Sequence, residues 1–204
     1  KGEIARRLVN LPGIYGDIVF YLAHARQGLT ITLLRELTRG AWGEKEMEEA
    51  FKTLRRFTFV KSSPRDKNRL YLHDEVYDLL NDYILLDRQD TDPVFRQIRD
   101  YYRAQRLDLQ GKLGLVANLP EKQQAAAREA LLHQLEIITV RLLYYELQVD
   151  PLHAYYRYYN RWIDDAIESR RFGYDMRLRD VLLSFVKSLD PDDSNGDKSN
   201  ELSL

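Results

Sequence analysis

Apolar side chains recur every three or four residues along the first half of the chain, which is the period of amphipathic helices. The pattern predicts helices over residues 14–25 and 31–38, the second of them capped by Thr30 and each followed by a glycine. A third helix is predicted from Gly43, and glutamates fill its first turn as the helix dipole prefers.

Two stretches rich in β-branched and aromatic residues follow at 57–61 and 69–72, on either side of the turn-rich segment 62–68. This pattern predicts a two-stranded hairpin whose loop has about the length of a wing. A further helix is predicted over 74–86. Three helices, a hairpin and a closing helix are typical of a winged helix-turn-helix domain, which we place at 14–88.

The second half has an almost purely helical pattern. Asp92-Pro93 and Asp150-Pro151 each combine a capping residue with a proline suited to the first helical turn. The predicted helices cover 93–110, 121–148, 152–169 and 174–189. Counted from their capping or first residues near 92, 121, 151 and 174, they begin about 29, 30 and 23 residues apart, which predicts TPR-like antiparallel helical hairpins over 89–189. The expected fold class is therefore mainly α, a winged helix followed by a helical domain.

Both ends of the chain differ from these two segments. Residues 1–13 open with Lys1 rather than Met and are helical in pattern from the start. We expect them to be the end of a preceding helical segment, so that the chain is part of a longer protein. Residues 190–204 are rich in Asp, Ser and Asn with few apolar side chains, and we expect a disordered tail.

Positive and negative charges nearly cancel, because 31 Lys and Arg stand against 32 Asp and Glu, a formal net charge of -1. A domain that binds duplex DNA through its phosphates needs a basic surplus. The third helix, which often enters the major groove in a winged helix, begins with four carboxylates, those of Glu44, Glu46, Glu48 and Glu49. The hairpin carries the more favourable basic side chains, Lys61, Arg65, Lys67 and Arg69. DNA is therefore a disfavoured partner.

Cysteine is absent, which excludes disulfides, thiol catalysis and cysteine-based zinc sites. No apolar run approaches the length of about 18 residues that a membrane-spanning helix needs, so no membrane partner is expected. The N-terminal residues do not have the pattern of a secretory signal. We therefore expect a cytoplasmic location.

Candidate catalytic and metal-binding groups are sparse. The four histidines do not have the spacing of zinc ligands; they are His24, His73, His133 and His153. Asp164 and Asp165 are adjacent on a predicted helix and point about 100° apart, which suits a solvated face better than an acid and base pair. Since no Ser-His-Asp pattern and no glycine-rich phosphate loop occurs, we expect no catalytic residue, no metal and no cofactor in this chain.

A dense aromatic group lies in the helical half, with arginines interleaved. Its rings belong to Tyr144, Tyr145, Tyr155, Tyr156, Tyr158, Tyr159 and Trp162, and its arginines are Arg141, Arg157 and Arg161. One interpretation is a ligand or peptide surface that uses stacking and cation-π contacts. The other, which we favour, is that two neighbouring helices bury the rings while tyrosine hydroxyls reach water.

Residues 71–80, Tyr-Leu-His-Asp-Glu-Val-Tyr-Asp-Leu-Leu, are the most informative stretch of the chain. Leu72, His73 and Asp74 span the junction between the last predicted strand and the next helix. This placement resembles the end of the winged-helix domain in STAND-class signalling ATPases, the NB-ARC and NACHT relatives, where a Met-His-Asp triplet or a Leu-His-Asp variant occupies this point. The domain order is similar too, because in that family helical repeats such as TPR commonly follow the winged helix.

The resemblance implies that His73 senses the nucleotide state by touching the β-phosphate of bound ADP, and that Asp74 steadies the turn. An imidazole beside a helix N-terminus offers an N–H donor where the dipole favours an anion, and the Asp74 carboxylate is well placed to cap the helix. The chain has no Gly-x-x-x-x-Gly-Lys-Ser/Thr motif. The resemblance therefore implies that ATP or ADP binds a core that precedes Lys1 in the parent protein.

We interpret the chain as a non-catalytic regulatory fragment of a STAND-like NTPase. Its partners are then the nucleotide-binding domain of the same parent chain and a protein that contacts the helical region. In a structural alternative, His73 merely closes a strand with a satisfied imidazole. Two functional alternatives are a winged-helix transcription regulator with a helical dimerisation or ligand domain, and a helical scaffold without nucleotide control.

Overall fold

The structure, a computed structural model, describes residues 2–63, 66–81 and 91–189. Of these residues 78% are helical, and a small three-stranded antiparallel sheet lies near the N-terminus. The mainly α class predicted from the sequence is confirmed. The chain divides into two compact units, Lys1–Tyr101 and Tyr102–Leu204. The division falls inside one long helix.

The first unit combines short helices with the sheet. Its helices are α1 (Gly2–Val9), α2 (Ile14–His24), α3 (Ile31–Leu37), α4 (Glu44–Leu54), α5 (Asp74–Leu80) and the first part of α6 (Thr91–Leu115). Its strands are β1 (Leu29–Thr30), β2 (Val60–Ser63) and β3 (Asp66–Leu72). The three helices predicted from residue 14 to the middle fifties are confirmed, with ends that differ by one or a few residues. The helix α1 packs against α2 and α5.

The sheet has the order β1-β3-β2, with both pairings antiparallel. Val60 faces Leu72 across β2 and β3, and Leu29 faces Leu70 across β1 and β3. The predicted two-stranded hairpin is therefore wrong in two respects. It has a third strand, and its strands are shifted toward the tip, because the backbone of Phe57 still belongs to the turn after α4 and donates to the carbonyl of Leu54.

A single apolar core holds the first unit together. The Thr30 hydroxyl accepts the backbone N–H of Leu33 at 3.2 Å, which confirms the predicted cap of α3. The side chains that are fully buried include Ile18, Leu22, Leu33, Leu34, Met47, Phe51, Leu54, Leu70 and Leu72. The strand β3 contributes its leucines to the same core that α2, α3 and α4 form, so the end of β3 has a fixed position.

The second unit is helical throughout its described part. It contains the rest of α6, a 3-10 turn (Val116–Asn118), α7 (Glu121–Val149), α8 (Pro151–His153), a π-helical segment (Ala154–Tyr159), α9 (Asn160–Glu168) and α10 (Phe172–Leu189). The predicted cap at Asp150 is confirmed, since its carboxylate accepts the N–H of His153 at 3.1 Å. The helix predicted to end at 110 runs on to Leu115, and the helix predicted over 152–169 contains the π-helical segment.

Side-chain contacts define how these helices pack. Tyr102 stacks on Tyr145, and the Arg106 guanidinium donates to the Thr139 hydroxyl at 3.1 Å, so α6 and α7 run antiparallel. About one turn before Thr139 on α7, Glu136 accepts from both Arg171 and Arg177 at 3.1 and 2.8 Å. These two ion pairs hold the start of α10 against α7.

Several predictions lie outside the described residues. They concern the end of the helix predicted over 74–86, the wing tip at Pro64 and Arg65, the side chain of Asp92 and the tail at 190–204.

Candidate functional site

His73 lies at the junction of β3 and α5. Its backbone N–H donates to the carbonyl of Phe59 at 3.0 Å, and its own carbonyl accepts from Val76 and Tyr77 at 2.9 and 3.1 Å. Three backbone hydrogen bonds therefore fix the residue between strand and helix. Its imidazole is exposed and forms no hydrogen bond with any residue of the described part. The structural alternative stays a prediction, because solvent can satisfy the ring nitrogens of an exposed imidazole.

Asp74 does not cap α5, so this prediction is wrong. His73 occupies the capping position with an extended backbone, and Asp74 is the first helical residue. The Asp74 carboxylate instead lies 3.4 Å from the ammonium of Lys61 on β2. Because both side chains are exposed, this ion pair contributes about 0–1 kcal/mol. It links the hairpin to the start of α5 and leaves the carboxylate where the helix dipole still favours it.

The core behind this junction is well packed. Leu72 is fully buried, and Tyr77 is buried with its hydroxyl donating to the carbonyl of Ala25 at 3.3 Å. The guanidinium of Arg26 lies over the Tyr77 ring, 5.6 Å from its centre. The exposed imidazole of His73 therefore lies on a turn that contacts between Tyr77 and the residues just after α2 hold in place.

Arg69 is a structural residue and not part of a basic wing surface. Its guanidinium is buried, donates to the carbonyls of Gln27 and Gly28 at 3.2 and 3.1 Å, and pairs with Asp66 at 3.0 Å. Lys61, the other described hairpin cation, pairs with Asp74. Of the four basic side chains that favoured DNA, these two are engaged inside the unit.

The exposed surface of α4 is acidic. Met47, Ala50, Phe51 and Leu54 face the core. The side chains turned outward are those of Glu44, Lys45, Glu46, Glu48, Glu49 and Lys52. Arg35 pairs with Glu44 at 2.8 Å and offsets one carboxylate. A helix with this surface would place its remaining carboxylates against DNA phosphates, which repels both strands.

The aromatic group divides between core and surface. Tyr145, Tyr159 and Trp162 are buried, which confirms the favoured interpretation for them, while Tyr156 is 71% exposed. Two cations over these rings come from α6, which the sequence pattern did not indicate. Arg103 lies over Tyr158 and Arg106 over Trp162, whereas Arg157 and Arg161 are exposed.

Buried and half-buried polar groups accompany the rings. The carboxylate of Glu146 is buried and accepts two bonds from Arg103, at 2.6 and 2.8 Å. Burial lowers the pKa of the Arg106 guanidinium and raises the pKa of the Tyr174 hydroxyl to about 12. All of these groups have protein partners inside the unit, so they hold helices together.

Acidic and imidazole side chains form no metal-binding group of three or more within residues 2–63, 66–81 and 91–189. Asp164 and Asp165 are both exposed. Among the helices described, none is long and apolar enough to cross a bilayer.

Comparison with known proteins adds no assignment: no family model, no curated protein and no solved structure matches this chain.

Proposed function

We propose that the chain is a regulatory module of a STAND-like NTPase, in which a winged helix couples nucleotide state to a TPR-like helical region. The observation that carries the proposal is the exposed imidazole of His73 on an anchored strand-to-helix turn. A sensor must reach a ligand on another domain while its own position is fixed. His73 meets both requirements.

In the proposed resting state the imidazole donates an N–H to the β-phosphate of ADP. The nucleotide belongs to a nucleotide-binding domain of the same parent chain, because this chain carries no P-loop motif. Asp74 and Lys61 steady the turn that presents the imidazole. Exchange of ADP for ATP moves the phosphates and releases the winged helix from that domain.

The charge of α4 supports docking on protein over docking on DNA. A winged helix that reads DNA presents a basic or neutral third helix to the groove, whereas α4 turns glutamates outward. The helical composition of the second unit is compatible with a role in protein contacts, since stacked helices are a common interaction scaffold.

The proposal is tested by ADP retention in the full-length parent protein. We expect His73→Ala to increase the ADP dissociation rate and to raise basal activity. His133→Ala removes another exposed imidazole, on α7, and serves as the matched control. Unchanged ADP retention in a folded His73→Ala protein would remove the sensor role.

The competing function is that of a DNA-binding regulator, and a titration of this chain with duplex DNA separates the two. A DNA-binding regulator binds at low salt with an affinity that falls steeply as salt rises. We expect no such binding. A helical scaffold without nucleotide control would also leave DNA unbound, and it is distinguished by a parent sequence that lacks a P-loop before Lys1.

A further inference from the structure

A cavity of about 420 Å³ lies at the turn between α6 and α7. Its apolar lining comes from the end of α6, the 3-10 turn and the start of α7, and it consists of Leu113, Val116, Ala117 and Ala125. Val116 is buried, whereas the two alanines are exposed, so the cavity is open to solvent. Small-molecule sites commonly measure about 300–1,000 Å³. The cavity therefore has the size of a ligand site.

Three polar side chains of α7 line the same cavity in a row. Glu121, Gln124 and Arg128 follow one another at intervals of three and four residues, which places them on one face of the helix. At 1.5 Å per residue, Glu121 and Arg128 lie roughly 10.5 Å apart along the helix axis. Both are exposed, and neither forms an ion pair within the part of the chain that the structure describes. One end of the row is thus negative and the other positive.

The Gln124 amide supplies a neutral acceptor between these two charges. Its Nε2 donates to the carbonyls of Ala117 and Leu119 at 3.3 and 2.8 Å. Both amide hydrogens are then used by the turn, and these two bonds fix the orientation of the amide. Its Oε1 accepts no hydrogen bond from any residue of the described ranges. The row therefore presents a carboxylate, a neutral acceptor and a guanidinium donor, in that order.

We propose that this cavity binds a dipeptide with apolar side chains. The free amine of the dipeptide lies at Glu121, its peptide N–H donates to Oε1 of Gln124, and its terminal carboxylate accepts from Arg128. The apolar side chains of the ligand pack on Leu113 and Val116. A dipeptide has one N–H donor between a positive and a negative end, which is the complement of the row on α7. This match of sign and order is the argument for the occupant.

The dimensions of the row agree with a ligand of this length. An extended dipeptide is at most about 7 Å long, and the long side chains of Glu121 and Arg128 cover the remainder of the roughly 10.5 Å between their backbone positions. A free amino acid lacks the central N–H. A tripeptide adds a second N–H, but the residues between Gln124 and Arg128 are alanines, which offer no side-chain acceptor. The proposed function requires only protein contacts of the helical unit, so a small-molecule ligand goes beyond it.

Titration of the intact chain with the dipeptide Ala-Leu, followed by NMR, tests the proposal. The side-chain amide of Gln124 is the reporter, because it lies in the wall of the cavity. We expect its resonances to shift with a dissociation constant on the order of 1 mM, as the small size of the ligand allows.

Charge removal tests the two ends of the row. Glu121→Gln and Arg128→Gln should each raise the dissociation constant about three- to fivefold, the size of effect that an exposed ion pair permits. Lys122→Gln and Glu129→Gln are the matched controls, because each removes the charge of an exposed neighbour on α7 that does not line the cavity. They should change the dissociation constant less than about twofold. Thermal unfolding of all four variants confirms that they are folded.

Blocked dipeptides assign the two ends of the ligand without relying on a variant alone. N-acetyl-Ala-Leu has no amine charge, so we expect it to bind the native chain more weakly than Ala-Leu and to bind Glu121→Gln as well as the native chain. It keeps its carboxylate, and Arg128→Gln should still weaken its binding. The amidated dipeptide should show the opposite dependence on the two variants.

Three results would overturn the proposal. One is the absence of any shift of the Gln124 amide up to about 20 mM Ala-Leu, well above the expected dissociation constant. Another is a loss of affinity in the control variants as large as in Glu121→Gln and Arg128→Gln. The third is a blocked dipeptide that binds the native chain as tightly as Ala-Leu does. None of these results bears on the nucleotide sensor, because that role depends on His73 in the other unit.

Discussion

At the scale of single residues, the geometry of the candidate site depends on a glycine that lies far from it in sequence. Gly28 has φ +87°, and a Cβ atom at this position would lie 2.5 Å from Cδ of Arg69. The Arg69 side chain needs this space because its guanidinium donates to the carbonyls of Gln27 and Gly28. Gly28 thereby sets the position of β3, and β3 leads directly to His73.

We predict that Gly28→Ala lowers the free energy of unfolding of the chain by about 2–4 kcal/mol in urea denaturation. Positive φ costs about 1–2 kcal/mol for an L-residue, and displacing Arg69 from its carbonyls costs a similar amount. Gly40→Ala is the control, since Gly40 has φ +73° but nothing within 4 Å of the added Cβ. Equal losses in the two variants would show that the contact with Arg69 is unimportant.

Tyr174 gives a prediction in the alkaline range. Burial raises the pKa of its hydroxyl from 10.0 to about 12, so the folded state holds this proton more tightly than the unfolded chain does. Its contribution is fully present below pH 10 and is lost as the pH rises toward 12. We predict a shallower fall of stability with pH between these values for Tyr174→Phe, measured by urea denaturation. An unchanged slope would mean that Tyr174 does not titrate with folding.

Individual residues were predictable from the sequence where the local pattern decides their environment. His73 falls at the strand-to-helix junction, and Thr30 and Asp150 cap their helices as expected. Arg69 was misassigned to the wing surface because its partners, the carbonyls of Gln27 and Gly28, are more than 40 residues away along the chain. No local pattern contains such a contact.

At the scale of helices and strands, the second unit is joined by polar contacts between helices. The clearest is the pair of bonds from Arg103 on α6 to the buried carboxylate of Glu146 on α7. A buried carboxylate needs a compensating cation, because desolvation of a charge is costly. This pair therefore fixes α6 against α7 at one register.

We predict that Glu146→Leu lowers the free energy of unfolding by about 1–3 kcal/mol, because Arg103 loses its carboxylate partner but keeps access to water. Adding Arg103→Met should recover part of the loss, since two apolar side chains can then pack together. The control is Glu129→Leu at an exposed position of the same helix, with an expected change within about 0.5 kcal/mol. If the double variant recovers none of the free energy of unfolding that Glu146→Leu loses, the two side chains act independently.

Elements were predictable where they are long and amphipathic. The strand β1 was missed because two residues, Leu29 and Thr30, are too few to show alternation, and it forms only by pairing with β3. The helix α6 continues through Gly111 and Gly114, which the packing of the unit permits and intrinsic propensity does not favour. The spacing of apolar residues does not distinguish the π-helical segment Ala154–Tyr159 from the α-helix predicted there.

At the scale of the whole molecule, the near balance of 31 basic and 32 acidic residues agrees with a module that binds protein surfaces. The described cations of the hairpin pair with Asp66, Asp74 and backbone carbonyls. The exposed side chains of α4 are mainly acidic.

The most direct measurement of the central claim is the affinity of this chain for the nucleotide-binding domain of its parent, determined by titration calorimetry in two nucleotide states. We predict binding at least about tenfold tighter to the ADP-loaded domain than to the domain loaded with a non-hydrolysable ATP analogue. His73→Ala should remove this difference and leave the weaker affinity unchanged. Equal affinity in the two states with the native chain would contradict the account.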